Sequence, residues 1–318
     1  MKRISPLLPT AICIWLVPSL HAWNDFGHMS VASVAYRQLD AAAQKRIIAL
    51  LQLNPYFNSK WPAQIPSGAT AAERDEYIVM LAATWPDAIK SDSQYHNDGD
   101  ENGDRPTGPE ASRNTGYDDF NRHKYWHFVD TPFTVDGSPL PPIPMPDAKT
   151  QIDAFRAVLR STQPDQLKSY DLVWLLHLVG DVHQPLHSAT RVSKNDPDGD
   201  AGGNKVHFCT ATAPKCTGEL HAFWDDILGT SKLVNTVRTF ALGLTPPSVS
   251  AADIADTQKW IDASFNLAKT KVYVTPVKQG DGPYRATSAY TTKAKSLAKQ
   301  QVALAGARMA AILKADLK

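Results

Sequence analysis

Trp174-Leu175-Leu176-His177-Leu178-Val179-Gly180-Asp181-Val182-His183-Gln184-Pro185-Leu186-His187 is the stretch from which the rest of the chain can be organised. Its residues are largely apolar, as in a helix buried on all sides, yet it holds three histidines and an aspartate. His177 and Asp181 are four apart, so on a helix their side chains leave from one face. That arrangement can close on a single metal ion. Pro185 ends the helix and turns His187 toward a different ion. One histidine in such a run would read as a hydrogen-bonded core residue. Several His and an Asp inside an apolar helix are expensive to bury, and metal ligation removes the cost.

The same helical spacing recurs elsewhere. Residues 29–52 carry Val31, Val34, Leu39, Ile47 and Leu50 at that spacing, and residues 72–90 carry Tyr77, Met80 and Leu81. Further helical stretches are 147–161, 166–184, 218–229, 251–270 and 287–316. Alternating β-branched runs are scarce, Val272-Tyr273-Val274 being the best. The expectation is an all-α fold, a single compact helical domain over residues 23–318 with no repeat and no linker. Two polar loops, 91–124 and 191–205, are long enough to serve a site or to be mobile surface.

A second His-x-x-x-Asp pair, His221 and Asp225, repeats the geometry of the first. Asp87 in Thr84-Trp85-Pro86-Asp87, and His127 in Tyr125-Trp126-His127-Phe128-Val129-Asp130, are weaker candidates that could equally be aromatic core with polar neighbours. Nitrogen and carboxylate donors without thiolate suit zinc, and the donor count suggests about three ions.

The chain begins as an exported one does. Lys2 and Arg3 precede an apolar stretch from Leu7 to Leu20, and Leu20-His21-Ala22 reads as a cleavage site before Trp23. The alternative is an uncleaved membrane anchor. Loss of residues 1–22 removes Cys13 and leaves Cys209 and Cys216, expected to pair as a disulfide in an oxidising compartment. The chain holds no Asn-x-Ser/Thr sequon, which fits a bacterial periplasmic or secreted protein. No later apolar run reaches the ~18 residues of a membrane span, so no membrane insertion is expected after cleavage, and no obligate protein partner is evident. Cleavage would also give Trp23 a free α-amino group, whose ordinary pKa of about 7.7–8.0 permits metal binding near neutrality. Its nitrogen and carbonyl oxygen can close a chelate ring, with His28 in reach of the same ion.

The formal charge of +1 over 318 residues argues against a large basic surface that gathers phosphate by charge alone. Any attraction for nucleic acid must be local, as bound cations would provide.

Taken in order, Trp23-Asn-Asp-Phe-Gly-His28, Trp85-Pro-Asp87-x-x-Lys90, Trp126-His-Phe-Val-Asp130, the His177–His187 run, Gly202-Gly-Asn204 and His221-x-x-Trp-Asp225 resemble the zinc-dependent single-strand-specific nucleases and 3′-nucleotidases of the mung bean nuclease type, whose fold is shared with zinc-dependent bacterial phospholipase C. The motifs run from Trp23 to about Asp225, and none is found beyond. The resemblance implies one zinc on Asp87, His127, His177 and Asp181, and a second on the Trp23 amine and carbonyl, His28 and the bridging Asp181. It implies a third on His187, His221 and Asp225. Phe128 and Asp130 would form a base pocket, with Lys90 and Asn204 near the scissile phosphate. His183 would support the ligands, and His96, His123 and His207 have no counterpart. The implied partners are single-stranded DNA, RNA and nucleotides. They would be cut to 5′-phosphate products by in-line attack of zinc-bound hydroxide, with little base preference because every base can stack on an aromatic ring. Pro86, the Cys209–Cys216 pair and the long 91–124 loop depart from the family pattern.

Two rival readings remain. A zinc-dependent phospholipase C would carry Glu where this chain has Asp225 and a more distant early histidine. A calcium-binding or metal-storage protein is suggested by Asp98-Gly-Asp100-Glu-Asn102-Gly103, but Pro109 stands where the closing Glu belongs.

Overall fold

The computed structural model describes residues 23–99, 106–277 and 279–317. The expected export segment and the centre of the calcium-like run lie outside these. The described chain is mostly helical, as the spacing predicts. Helix α1 spans Asp25–Tyr36, α2 Ala41–Leu51, α3 Tyr56–Ser59, α4 Ala71–Ala82, α5 Trp85–Ala88 and α6 Ala148–Arg160. Helix α7 spans Asp165–Asp181, α8 Leu220–Asp225, α9 Val234–Leu242, α10 Ala251–Ile254, α11 Thr257–Leu267 and α12 Ser288–Asp316. Two minimal parallel pairs complete it: β1 Pro132–Thr134 with β2 Thr190–Val192, and β3 Phe208–Cys209 with β4 Tyr284–Arg285.

Several expected boundaries shift. The 29–52 stretch is two helices, because Asp40 accepts the Ala43 amide at 2.9 Å and starts α2 afresh. The 72–90 stretch breaks between Ala82 and Trp85, where Pro86 takes a first-turn position. The 251–270 stretch divides at Asp256, which caps α11, and α11 runs on into a π-helical turn, Ala268–Val272. Val272-Tyr273-Val274 is therefore not a strand: Val272 closes that turn, and the Tyr273 hydroxyl donates to Asp200. Helix α9 carries no signal that the spacing analysis detected.

Two helices are buried almost all round. From Phe26 to Tyr36 every residue of α1 is buried, and so is every residue of α7 from Lys168 onward. Around α1 pack α4, α7, α9 and α12, and α6 lies along α7. Interior hydroxyls on α1 are satisfied locally: Ser30 donates to the Phe26 carbonyl and Ser33 to Glu76, each at 2.6 Å. Helix α12 approaches α1 closely because Gly306 has no side chain. A Cβ there would lie 2.4 Å from Val34 Cγ1 and 3.0 Å from the Val31 carbonyl. Gly306→Ala is thus expected to lower folding stability by about 1–3 kcal/mol through overpacking. Thermal unfolding would show this, and an unchanged melting temperature would mean that the helices part freely.

The Cys209–Cys216 disulfide is present, with Cα atoms 5.2 Å apart. The described part of the 91–124 loop is pinned down. His123 sits between Asp98 (2.7 Å) and Asp119 (3.0 Å) and stacks on Trp126 with ring centroids 3.5 Å apart. These two carboxylates raise the His123 pKa against the effect of its burial. Asp98, first residue of the calcium-like run, also accepts from the Tyr125 hydroxyl and the His123 amide, so protein donors engage both of its oxygens.

Candidate metal centre

Helices α1 and α7 bring the first histidines together. His28, in the second turn of α1, lies with its ring on that of His177, centroids 3.8 Å apart and planes 15° from parallel. Gly180 makes room, since a Cβ at that position would stand 2.9 Å from His28 Nδ1. Asp181 closes the α7 end of the group. Its Oδ1 is 3.2 Å from His28 Nε2, and its Oδ2 is 3.1 Å from His127 Nδ1 and 3.3 Å from His177 Nε2. Asp87, placed by the short helix α5, lies 3.7 Å from His177 Nε2 and pairs with Lys90 at 2.8 Å.

The second group forms beyond α7. That helix ends at Asp181, and Gln184 and Pro185 start a 3-10 turn that carries His187 away, as the proline predicts. His187 Nε2 comes within 2.9 Å of His221 Nε2 on α8, and Asp225 Oδ2 is 3.5 Å from the same His221 atom. Gln184 donates to the other Asp225 oxygen at 2.8 Å. Three sets of donors could each hold an ion: His28, Asp87 and His177; His127, His177 and Asp181; His187, His221 and Asp225.

Hydrogen bonding tests whether metal fits. His177 Nδ1 lies 2.8 Å from the Ala83 carbonyl, His187 Nδ1 2.9 Å from that of His127, and His221 Nδ1 2.8 Å from that of Gly202. A carbonyl only accepts, so each Nδ1 carries the proton and each neutral ring turns a bare lone pair outward on Nε2. The His187 and His221 lone pairs then face one another across 2.9 Å. Such a contact is repulsive unless a cation lies between them. His28 has no hydrogen bond on either ring nitrogen, and neither does Asp181 Oδ1 beside it. Burial drives the imidazoles of His28, His127 and His187 well below their ordinary pKa, the form that ligates. Burial also drives the Asp181 carboxyl well above its usual range, reinforced by Asp87, and does the same at Asp225. A bound cation favours the charged carboxylate and offsets that cost. The donor set fits metal.

Trp23 is fully buried ahead of α1, its ring against the notch left by Gly27, where a Cβ would come within 2.5 Å of Trp23 Cβ. Next to it, Asn24 caps α1 and donates at 2.7 Å to both Asp226 and the Gly229 carbonyl, just beyond α8. The segment leading into α1 is thereby tied to the helix carrying His221 and Asp225.

Phe128, Asp130, Lys90 and Asn204 all line one cleft of about 420 Å³, with His127, His187 and His221 in its wall. Lys124, Leu186 and Ala201 also line it and were not foreseen, because each stands beside a motif residue without itself being a metal donor or a recognised contact residue. The three carbonyls that orient the imidazoles could not be foreseen either, because backbone oxygen has no sequence identity. Gly202 is the partial exception. Its φ of +59° and the 2.5 Å that a Cβ would leave to the Leu186 carbonyl require glycine there. His183 departs from expectation. It contacts none of the clusters, bonding instead to the Val179 carbonyl at 2.7 Å and to Arg308 of α12 at 2.8 Å. Burial and that arginine lower its pKa to about 3, so it stays neutral and accepts from the guanidinium.

No curated protein matches the chain. The pattern of the S1/P1 nuclease family matches residues 23–318, taking in both donor groups, the cleft and the C-terminal helices in which no motif was found. With three sets of residues able to hold metal among those described, and a match over essentially its whole described length, the chain belongs to the S1/P1 nuclease family.

Proposed function

We propose that the protein is an exported phosphodiesterase that holds about three zinc ions and hydrolyses single-stranded DNA and RNA to 5′-phosphate products, with 3′-nucleotidase activity at the same cleft. The observation that carries this reading is the pair of inward-facing lone pairs on His187 and His221, 2.9 Å apart, in the wall of the cleft that Phe128 and Asp130 line. When bound, the ions polarise the phosphodiester and supply the activated water. One ion would be held by Asp87, His127, His177 and Asp181. Another would be held by Trp23, His28 and Asp181, and the third by His187, His221 and Asp225. Cleavage after Ala22, leaving a single domain over 23–318, would give Trp23 the free amine that its role needs.

The remaining steps fall to side chains in the cleft. Phe128 offers a ring on which an unstacked base can lie, which favours single strands over duplex and tolerates any base. Asp130 accepts from base N–H groups. Lys90, held by Asp87 at 2.8 Å, presents its ammonium to the phosphate oxygens on which charge builds. Asn204, fixed by donation to the Ala201 carbonyl at 2.6 Å, lines the same cleft.

Chelation tests the reading. Dialysis against a chelator is expected to reduce hydrolysis of single-stranded DNA by at least about 10³-fold, with recovery on adding zinc. Activity that survives complete metal removal would end it.

A further inference from the structure

Positive charge is concentrated outside the cleft as well. Between Gly282 and Ala315 the chain carries Arg285, Lys293, Lys295, Lys299, Arg308 and Lys314 and no acid, although the whole chain is close to neutral. Lys293, Lys295 and Lys299 are exposed in the first half of α12, and Lys271 is exposed on the π-helical turn. Lysines on a helix surface are commonly explained by carboxylates one turn away. Here α12 offers none before Asp316, and among the described residues no ion pair engages Lys271, Lys293 or Lys295.

Two grooves flank this part of α12. One, of about 1040 Å³, has Lys271 and Lys293 on its walls; the other, of about 1090 Å³, has Lys295 and Lys299. They meet at Ser296, and their remaining polar lining is threonine, serine and one glutamine, with no carboxylate. Ammonium, hydroxyl and amide groups are those that take phosphate oxygens. The two large aromatics in the first groove, Trp224 and Tyr290, are buried and bonded to each other at 3.0 Å, so they are not a platform for bases. Trp224 also fixes the position relative to the site. It belongs to α8, the helix that carries His221 and Asp225, so the groove lies about one helix diameter, ~10 Å, behind the third donor set.

We propose that this face is a second contact surface for the phosphodiester backbone of a strand engaged in the cleft, an inference that rests on the nuclease reading. The lysines neutralise successive phosphates and release counterions, so the surface adds affinity without base preference. A strand long enough to reach both places gains from the linkage, whereas a dinucleotide cannot.

The test compares the zinc-loaded wild type with K293E/K295E/K299E on a thymidine dinucleotide and on a long oligothymidylate. For the variant, KM on the long strand is expected to rise about tenfold with kcat unchanged. The slope of log kcat/KM against log salt should flatten by about 2, three phosphates at ~0.7 each. Dinucleotide kinetics should not move. The glutamine triple variant should give a smaller change in the same direction, which separates charge loss from misfolding. Unchanged KM and salt slope on the long strand, with dinucleotide hydrolysis intact, would overturn the proposal and leave the nuclease reading standing. A wild type that hydrolyses neither substrate would overturn both. Charge-dependent binding to phosphatidylglycerol vesicles, with long-strand kinetics unaltered, would assign the face to a membrane and overturn it as well.

Discussion

Replacing Asp181 by asparagine is expected to lower hydrolysis of single-stranded DNA by roughly 10³-fold, about 4 kcal/mol of transition-state stabilisation, and to disturb more than one metal position at once. The reason is the sharing of its two oxygens. Oδ1 faces His28 at 3.2 Å, while Oδ2 faces His127 and His177 at 3.1 and 3.3 Å. Asparagine keeps the shape but loses the charge, and one of the two faces becomes an NH₂ donor that cannot ligate. The residue is fully buried, so water cannot readily take its place. Asp225→Asn is the contrast: it affects only the set with His187 and His221, and should remove less metal. Metal content and kcat, measured together, check both variants. An Asp181→Asn protein with a full complement of ions would refute the sharing.

Stability separates this effect from misfolding. Burial raises the Asp181 carboxyl well above its ordinary value. The metal-free folded state therefore holds this proton more tightly than the unfolded state, and stability falls as pH rises from the unfolded value near 4 toward the raised one. Asparagine removes that cost. The metal-free variant is thus expected to melt no lower than the metal-free wild type at neutral pH, even though it is inactive.

The sequence disclosed more of the site than of the helix boundaries. His177, Asp181, His221 and Asp225 are legible because spacing of four on a helix has one geometric consequence, and Pro185 correctly turns His187 away. The assembly of the first group is not legible from that spacing. It depends on Gly180 admitting the His28 ring, a contact made across the fold between α7 and α1. The break at Asp40 was missed because a side-chain cap interrupted an apolar pattern that continued at nearly the same period on both sides. His183 misled for the opposite reason. Its place inside the motif suggested a role near the metals, but at two residues beyond Asp181 it has turned to the other side and meets Arg308 instead. The basic face of α12 lay in plain view as composition, although its grooves could be recognised only once Lys271 was placed beside Lys293.

Adding a single alanine before Trp23 of the processed protein is expected to lower activity by about 10²-fold and to remove one ion, with the fold intact. The buried Trp23 ring sits in the Gly27 notch, and Asn24 is held by Asp226 and the Gly229 carbonyl, so Trp23 has little freedom to move aside. His28, one turn further along α1, has neither ring nitrogen hydrogen-bonded and calls for further donors to complete an ion's shell. An α-amine supplies a lone pair when deprotonated, whereas the amide nitrogen created by an added residue has none to give. The pH dependence follows with a definite sign. The amine's ordinary pKa is about 7.7–8.0, so ligation displaces a proton and that ion's affinity rises with pH through the neutral range. The extended protein should bind the remaining ions with a shallower dependence, because one displaced proton is gone. Zinc titrations of both forms across that range check the difference. An extended protein with the same ion count, the same pH dependence and full activity would show that Trp23 anchors the helix start and nothing more.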